Sequence, residues 1–243
     1  MYVAKQAGKN RFHLFDVAYD TAVKTRHESL EHLRHALQRG ELVLHYQPKV
    51  NMQTGAVVGA EALIRWQHPN RGMLGPNDFL PATENNAMSV EVGEWVIDQA
   101  LNQIERWREA GLDLAVSVNV GARQLQQANF VDQLRIILER HPQVSAANLE
   151  LEVLETSALE DIDRVTATMR ECCAFGVGFS LDDFGTGYSS LTYLKRLPAE
   201  LMKIDQSFVI GMIADSDDFV IVEGVVGLAK AFGRAVLAEG VET

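Results

Sequence analysis

Positive charge is scarce in this chain. Its 243 residues include 22 lysines and arginines against 33 aspartates and glutamates, a formal net charge of -11. Such a surface repels polyanions, so no nucleic acid polymer is expected as a partner. A small anionic ligand stays admissible where bound cations reverse the local field. Cysteine is nearly absent: the only two, Cys172 and Cys173, are adjacent. Neighbouring thiols cannot form a framework disulfide, so reduced, core-packing thiols in a cytoplasmic protein are expected. No apolar run reaches the ~18 residues of a membrane span, and no signal peptide is visible. Glycine-rich phosphate loops, Ser/His/Asp sets and dinucleotide fingerprints are missing. The seven histidines show no ligand spacing: His32 and His35 fall on a helix, His68 precedes Pro69 in a turn, and surface positions are expected. Low-complexity tracts and tandem repeats are absent.

What is present is apolar and periodic. Hydrophobic residues make up 47% of the chain, enough for one core of the size usual in an α/β barrel. Seven short apolar runs end in polar side chains. They are Leu42–Gln47, Val57–Arg65, Leu114–Asn119, Leu149–Glu155, Val177–Asp183, Leu201–Asp205 and Ala235–Glu239. Amphipathic helices are predicted over about 17–40 (stopped by Gly40), 90–110 (closed by Gly111), 129–140, 158–175, 189–196 and 216–232. Strands alternating with helices predict a mostly parallel sheet. With strand period two, Glu61, Leu63 and Arg65 share a side, as do Ser117 with Asn119, Glu150 with Glu152, and Lys203 with Asp205. In a closed barrel such strand ends converge on one rim, here rich in carboxylates and suited to a cation-binding, phosphate-handling site.

Each polar end has more than one reading. Asp182-Asp183 closes a buried strand, where two carboxylates are costly unless paired or metal-bound; a solvated acidic turn or a helix cap is the alternative. Glu61 sits inside an apolar strand and needs a cation, which Arg65 four residues on could supply as a structural pair. Asn119 is either a turn residue or a neutral oxygen ligand. Glu152 lies in an otherwise apolar strand, and Glu155 opens the next loop. Lys203 either neutralises a reacting oxygen or pairs with Asp182. Glu239 and Glu242 either serve a second ion and water or are simply solvated. Carboxylates plus one carboxamide, without clustered histidine or cysteine, suit Mg²⁺ or Mn²⁺ rather than zinc.

Glu61-Ala62-Leu63 within EALIRW, YQPKV at 46–50, SVNVGARQL at 117–125 and LELEVLE at 149–155 stand in order along the chain. SLDDFGTGYSSL at 180–191, LMKIDQSFV at 201–209 and AEGVET at 238–243 follow. This series resembles the EAL-domain family of cyclic di-GMP phosphodiesterases, a bacterial signalling family, from about residue 41 onward. The resemblance implies an α/β fold, a modified TIM (β/α)8 barrel with one antiparallel strand. It also implies hydrolysis of cyclic di-GMP to linear pGpG. By that resemblance Glu61, Asn119, Glu152 and Asp182 hold one metal ion, and Asp182, Asp183 and Glu239 a second. Lys203 orients or activates the hydrolytic water, assisted by Glu239. Gln47, Leu63 and Arg65 hold the substrate, with Asp205 and Glu242 as further contacts. Glu155 braces the 182–190 loop, which in the family couples the site to a homodimer interface. Two cations about 3.5–4 Å apart suit in-line displacement at phosphorus.

Residues 1–16, MYVAKQAGKNRFHLFD, resemble the end of a GGDEF domain, so 17–40 is expected as a linker helix from an upstream GGDEF domain in a parent protein, for which a membrane anchor stays admissible. No cyclase motif is present, and synthesis of cyclic di-GMP is not expected. Residues 41–243 are expected to form the EAL domain. Seven runs rather than eight predict a barrel short of its eighth strand, lacking the family's glutamine–glycine–tyrosine segment. Leu154 and Gly121 depart from the threonine and serine common in the family, and neither is a ligand position. The alternative function is a cyclic di-GMP receptor, or a regulatory module, without turnover.

Overall fold

The computed structural model describes residues 17–84, 86–156, 161–186 and 191–241. Helix α1 (Val17–Arg39) leads into strand β1 (Leu42–Val50), which makes a hairpin with β2 (Val57–His68) and its short extension β3 (Gly72–Leu74). Helix α2 (Met88–Glu109), β4 (Ala115–Asn119), the short α3 (Ala122–Leu125), α4 (Phe130–Glu139) and β5 (Leu149–Leu154) follow. Then come α5 (Ile162–Ala174), β6 (Gly178–Phe184), α6 (Leu191–Arg196), β7 (Leu201–Ile204), α7 (Gln206–Gly211), α8 (Ser216–Ala231) and β8 (Ala235–Ala238). The strands form one sheet in the order β1-β2-β4-β5-β6-β7-β8, with β3 paired to β2. From β2 to β8 along this path every neighbour is parallel, while β1 runs antiparallel to β2.

The sheet curls. Glu61 on β2 and Lys203 on β7 are four strands apart, which on a flat sheet is about 19 Å at ~4.8 Å per strand. Their charged atoms lie 3.1 Å apart. Among the described residues β1 and β8 do not pair with each other, so this barrel-type α/β sheet is open between them.

Strand alternation decides which face holds what. Val116 and Val118, Leu149, Leu151 and Val153, Phe179 and Leu181, and Met202 and Ile204 are all buried in the hydrophobic core under the helices. The opposite face carries Ser117, Glu150, Glu152, Ser180, Asp182 and Lys203. The apolar core is therefore the helix–sheet layer, and the concave side of the sheet is polar. Helix α2 supplies Val92, Val96, Ala100 and Ile104 at four-residue spacing to that core. Gly40 and Gly111 end their helices in the left-handed conformation (φ +68° and +83°), where a side chain would be strained.

Several details differ from the sequence expectations. Strand β3 and the short helices α3 and α7 were not predicted, since segments of three to six residues carry too little periodicity. His141 is buried rather than on the surface, with Nε2 3.2 Å from Asp98 Oδ1 on α2. A carboxylate partner makes its burial tolerable. Cys172 and Cys173 are unpaired; Cys172 is buried, which pushes its thiol up to about 12, consistent with packing. No helix among the described residues is long and apolar enough to cross a membrane. The predicted GGDEF remnant at 1–16 lies outside the described residues, as does Glu242.

Candidate functional site

Lys203 sits at the centre of the concave face. Its side chain is 1% exposed, and its Nζ lies 3.1 Å from Glu61 Oε2, 2.5 Å from Glu152 Oε2, 3.0 Å from Asp182 Oδ1 and 2.7 Å from Glu239 Oε1. These carboxylates come from β2, β5, β6 and the residue after β8. Burial alone would lower the Lys203 pKa, but Glu152, Asp182 and Glu61 outweigh it and the value is raised. In this arrangement Lys203 is an ammonium, a donor and a fixed positive charge. The pair with Asp182 is real but is one of four contacts. Arg65, the other cation considered for Glu61, donates instead to the Ile64 carbonyl at 2.8 Å. Glu61 takes Lys203 and the Asn119 amide (Nδ2 to Oε1, 2.9 Å) because sheet curvature brings β7 across to β2.

The neighbouring carboxyls respond differently to the same lysine. Glu152 is the most deeply buried; Lys203 and Lys49 together outweigh that burial and lower its pKa. For Glu61, burial and the repulsion of Glu152 prevail over Lys203 and Asn119, and its pKa is raised. Burial likewise raises Glu239, against the pull of Lys203. The Asp183 carboxyl is pushed up to about 6 by burial and by Asp182 and Asp205 beside it.

Asp182 and Asp183 illustrate how backbone makes a site. Consecutive residues of a regular strand point to opposite faces. Here oxygens of Asp182, Asp183 and Glu239 lie within 4.8 Å of one another. Asp183 achieves this with φ 52°, a left-handed conformation that aspartate tolerates better than most residues. The β6–β7 register slips between Leu181 and Phe184 at the same point. The turn is braced from below: Gly185 N–H donates to Glu155 Oε2 at 3.0 Å, and Thr186 Oγ1 donates to the Asp183 carbonyl at 2.8 Å.

The remaining predicted positions spread along the adjoining strands. Gln47 on β1 faces Glu61 in register and is exposed; Leu63 and Arg65, half-buried, continue the Glu61 side of β2. Asp205 caps α7 through Ser207 N (3.0 Å) and contacts Asp183. One participant was missed by the sequence reading: Lys49, two residues after Gln47 and therefore on the same side of β1. It donates to Glu150 Oε1 and Glu152 Oε1, each at 2.8 Å, and to Ser117 Oγ.

The donor set fits divalent cations. Glu150 pairs with Lys49, so five carboxylates (Glu61, Glu152, Asp182, Asp183 and Glu239) remain around the Lys203 ammonium, a formal excess of four negative charges. Two hard dications would balance them, and all-oxygen donors are what such ions take.

Comparison with known proteins finds similar chains. The family model described as EAL domain matches residues 30–243. The bifunctional diguanylate cyclase/cyclic di-GMP phosphodiesterase MucR of Pseudomonas aeruginosa is 44% identical over 244 residues, covering 100% of this chain and 36% of the relative. The cyclic di-GMP phosphodiesterase PdeR of Escherichia coli K12 is 35% identical over 243 residues, with 100% and 36% covered. The chain thus spans about a third of the length of these curated relatives. A solved structure of the PaMucR phosphodiesterase in complex with c-di-GMP superposes with a TM-score of 0.85 at 46% identity, covering 89% of this chain and 87% of that one.

Proposed function

Because this chain belongs to the EAL domain family, we propose that it hydrolyses one phosphodiester of cyclic di-GMP to give linear pGpG. The observation that carries this reading is the convergence of Glu61, Glu152, Asp182 and Glu239 on Lys203 within 3.1 Å. Relatives and a solved neighbour named for cyclic di-GMP hydrolysis or binding support the substrate.

Glu61, Asn119, Glu152 and Asp182 would hold one Mg²⁺ or Mn²⁺, and Asp182, Asp183 and Glu239 a second. Such ions supply Lewis acidity at a phosphodiester and lower the pKa of water. The chain's own groups do the rest. A water oxygen adds to phosphorus, the P–O3′ bond breaks with its electron pair going to the 3′ oxygen, and that oxygen takes a proton from bulk water to become a hydroxyl. Lys203, held protonated, donates to the attacking water and offsets charge building on the phosphoryl oxygens. Glu239, 2.7 Å from Lys203 and with proton affinity increased by burial, accepts the water's proton. Gln47, Leu63 and Arg65, with Asp205 and Glu242, would seat the guanine and phosphate, and Glu155 would brace the segment 182–190, of which 187–190 lie outside the described residues. A homodimer, an upstream GGDEF domain joined through 17–40, and a cytoplasmic location complete the proposal.

The test is incubation of the protein with cyclic di-GMP and Mg²⁺, followed by separation of nucleotides. Formation of pGpG, abolished in Glu61→Gln with cyclic di-GMP binding retained, is the expected result. Tight binding with no product would replace this reading with a receptor; neither would leave an interaction role.

A further inference from the structure

Below the carboxylates that surround Lys203 lies a second polar layer on the same concave face. Glu150 Oε1 accepts from Lys49 Nζ at 2.8 Å, Ser117 Oγ at 2.6 Å and Ser180 Oγ at 3.2 Å. Lys49 reaches this layer because β1 runs antiparallel and its register partner is Gly59, which places no side chain in the way. The lysine side chain is 10% exposed, and its three donors are taken by Ser117, Glu150 and Glu152.

Glu152 joins the two layers. Its side chain is wholly buried; Oε1 accepts from Lys49 at 2.8 Å and Oε2 from Lys203 at 2.5 Å. The terminal torsion of a glutamate is broad and soft. The plane of this carboxylate is therefore set by what holds its two oxygens, and one lysine grips each.

We propose that Lys49 is a positioning residue: by engaging Glu152 Oε1 it turns Oε2 toward Lys203 and the cation site. The inference deepens the phosphodiesterase reading and rests on it for its consequence in turnover. In this role Lys49 acts through Glu152 rather than on substrate or reacting atoms. Its charge, taken alone, would repel cations, so orientation and charge act in opposite directions when the residue is removed. Separating them requires a charge-conserving change.

The test compares Lys49→Met, Glu150→Gln and the double variant Lys49→Met/Glu150→Gln, which keeps the net charge and removes the Glu152 anchor. Mn²⁺ binding is measured by electron paramagnetic resonance without substrate, after circular dichroism confirms folding. The double variant is expected to bind Mn²⁺ about 10–100-fold more weakly, as is usual when a residue orienting a ligand is lost. Glu150→Gln alone, with Lys49 still on Glu152, should fall short of the ~10-fold lower bound of that loss. With cyclic di-GMP, kcat should fall about tenfold or more in the double variant with KM little changed. Wild-type Mn²⁺ affinity in the folded double variant would overturn the proposal, because charge balance alone would then explain Lys49. If the wild type itself bound no Mn²⁺, the phosphodiesterase reading would fail. Crystal structures of wild type and double variant would still decide the Lys49 assignment: a rotated Glu152 carboxylate supports it, and an unmoved one refutes it.

Discussion

Replacing Lys203 with methionine, similar in length and without charge, probes the electrostatics of the site in the absence of substrate. Four carboxylates lie within 3.1 Å of its ammonium. Removing one partner of a buried ion pair costs about 3–5 kcal/mol, since a buried charge is left uncompensated. Four partners do not multiply this figure, because raised carboxyls such as Glu61 and Glu239 take up protons instead. The expected loss in EDTA is therefore about 3–5 kcal/mol, a drop of roughly 1–2 M in the urea midpoint at a slope of ~2–3 kcal/mol/M. Divalent cations should return part of it. Binding at a hundred times the dissociation constant stabilises by ~2.7 kcal/mol per site, so Lys203→Met should gain more from Mg²⁺ than wild type does. Turnover of cyclic di-GMP should stay lost under both conditions, because the donor to water and phosphoryl oxygen is gone. Equilibrium urea unfolding in EDTA and in Mg²⁺ is the assay. A loss below ~1 kcal/mol in EDTA would refute the reasoning, since it would mean that the carboxylates do not depend on this cation.

Further outcomes are open to measurement. Asp182→Asn removes the charge common to both proposed ion sets and should lower turnover by about a hundredfold or more while cyclic di-GMP still binds; near-normal rates would exclude a shared ligand. Ca²⁺ should fail to support hydrolysis and should inhibit it, its coordination shell being larger and looser than that of Mg²⁺; equal rates with either ion would count against the oxygen site as described. Asp183 is raised from 3.8 to about 6, so its contribution to stability is full below its unfolded value and is lost as pH rises through about 6. In EDTA the wild-type urea midpoint should therefore fall relative to Asp183→Asn between pH 4 and 7, and parallel profiles would contradict the shift. Glu155→Ala removes the acceptor for Gly185 N–H and should cost about 1 kcal/mol of stability while reducing turnover more than that loss of stability explains; unchanged kinetics would leave Glu155 a purely structural residue.

Much of this site is legible in the sequence because strand periodicity is a strong signal. Glu61, Asn119, Glu152, Asp182 and Lys203 each close or interrupt an apolar strand, and each is placed on the concave face. Partner choice was not legible. Arg65 looked like the counter-ion for Glu61 because it is only four residues along the same face of the strand, whereas Lys203 is 142 residues away and arrives only when the sheet curls. The convergence of Asp182 and Asp183 depends on a left-handed Asp183, which alternation alone forbids. Lys49 could have been found: period two puts it beside Gln47, and an isolated lysine opposite a glycine in a hairpin has room to reach inward. His141 was misplaced at the surface because it follows α4 in a loop and its carboxylate partner Asp98 lies on α2, at a separation no local pattern reports.

The carboxylates around Lys203 are held here to bind two divalent cations. Titrating the metal-free protein with Mn²⁺ and following the electron paramagnetic resonance spectrum tests this most directly. Two ions per chain with spin-coupled signals, reduced in Asp182→Asn, are the expected result. A single uncoupled ion, or binding that is indifferent to Asp182, would contradict it.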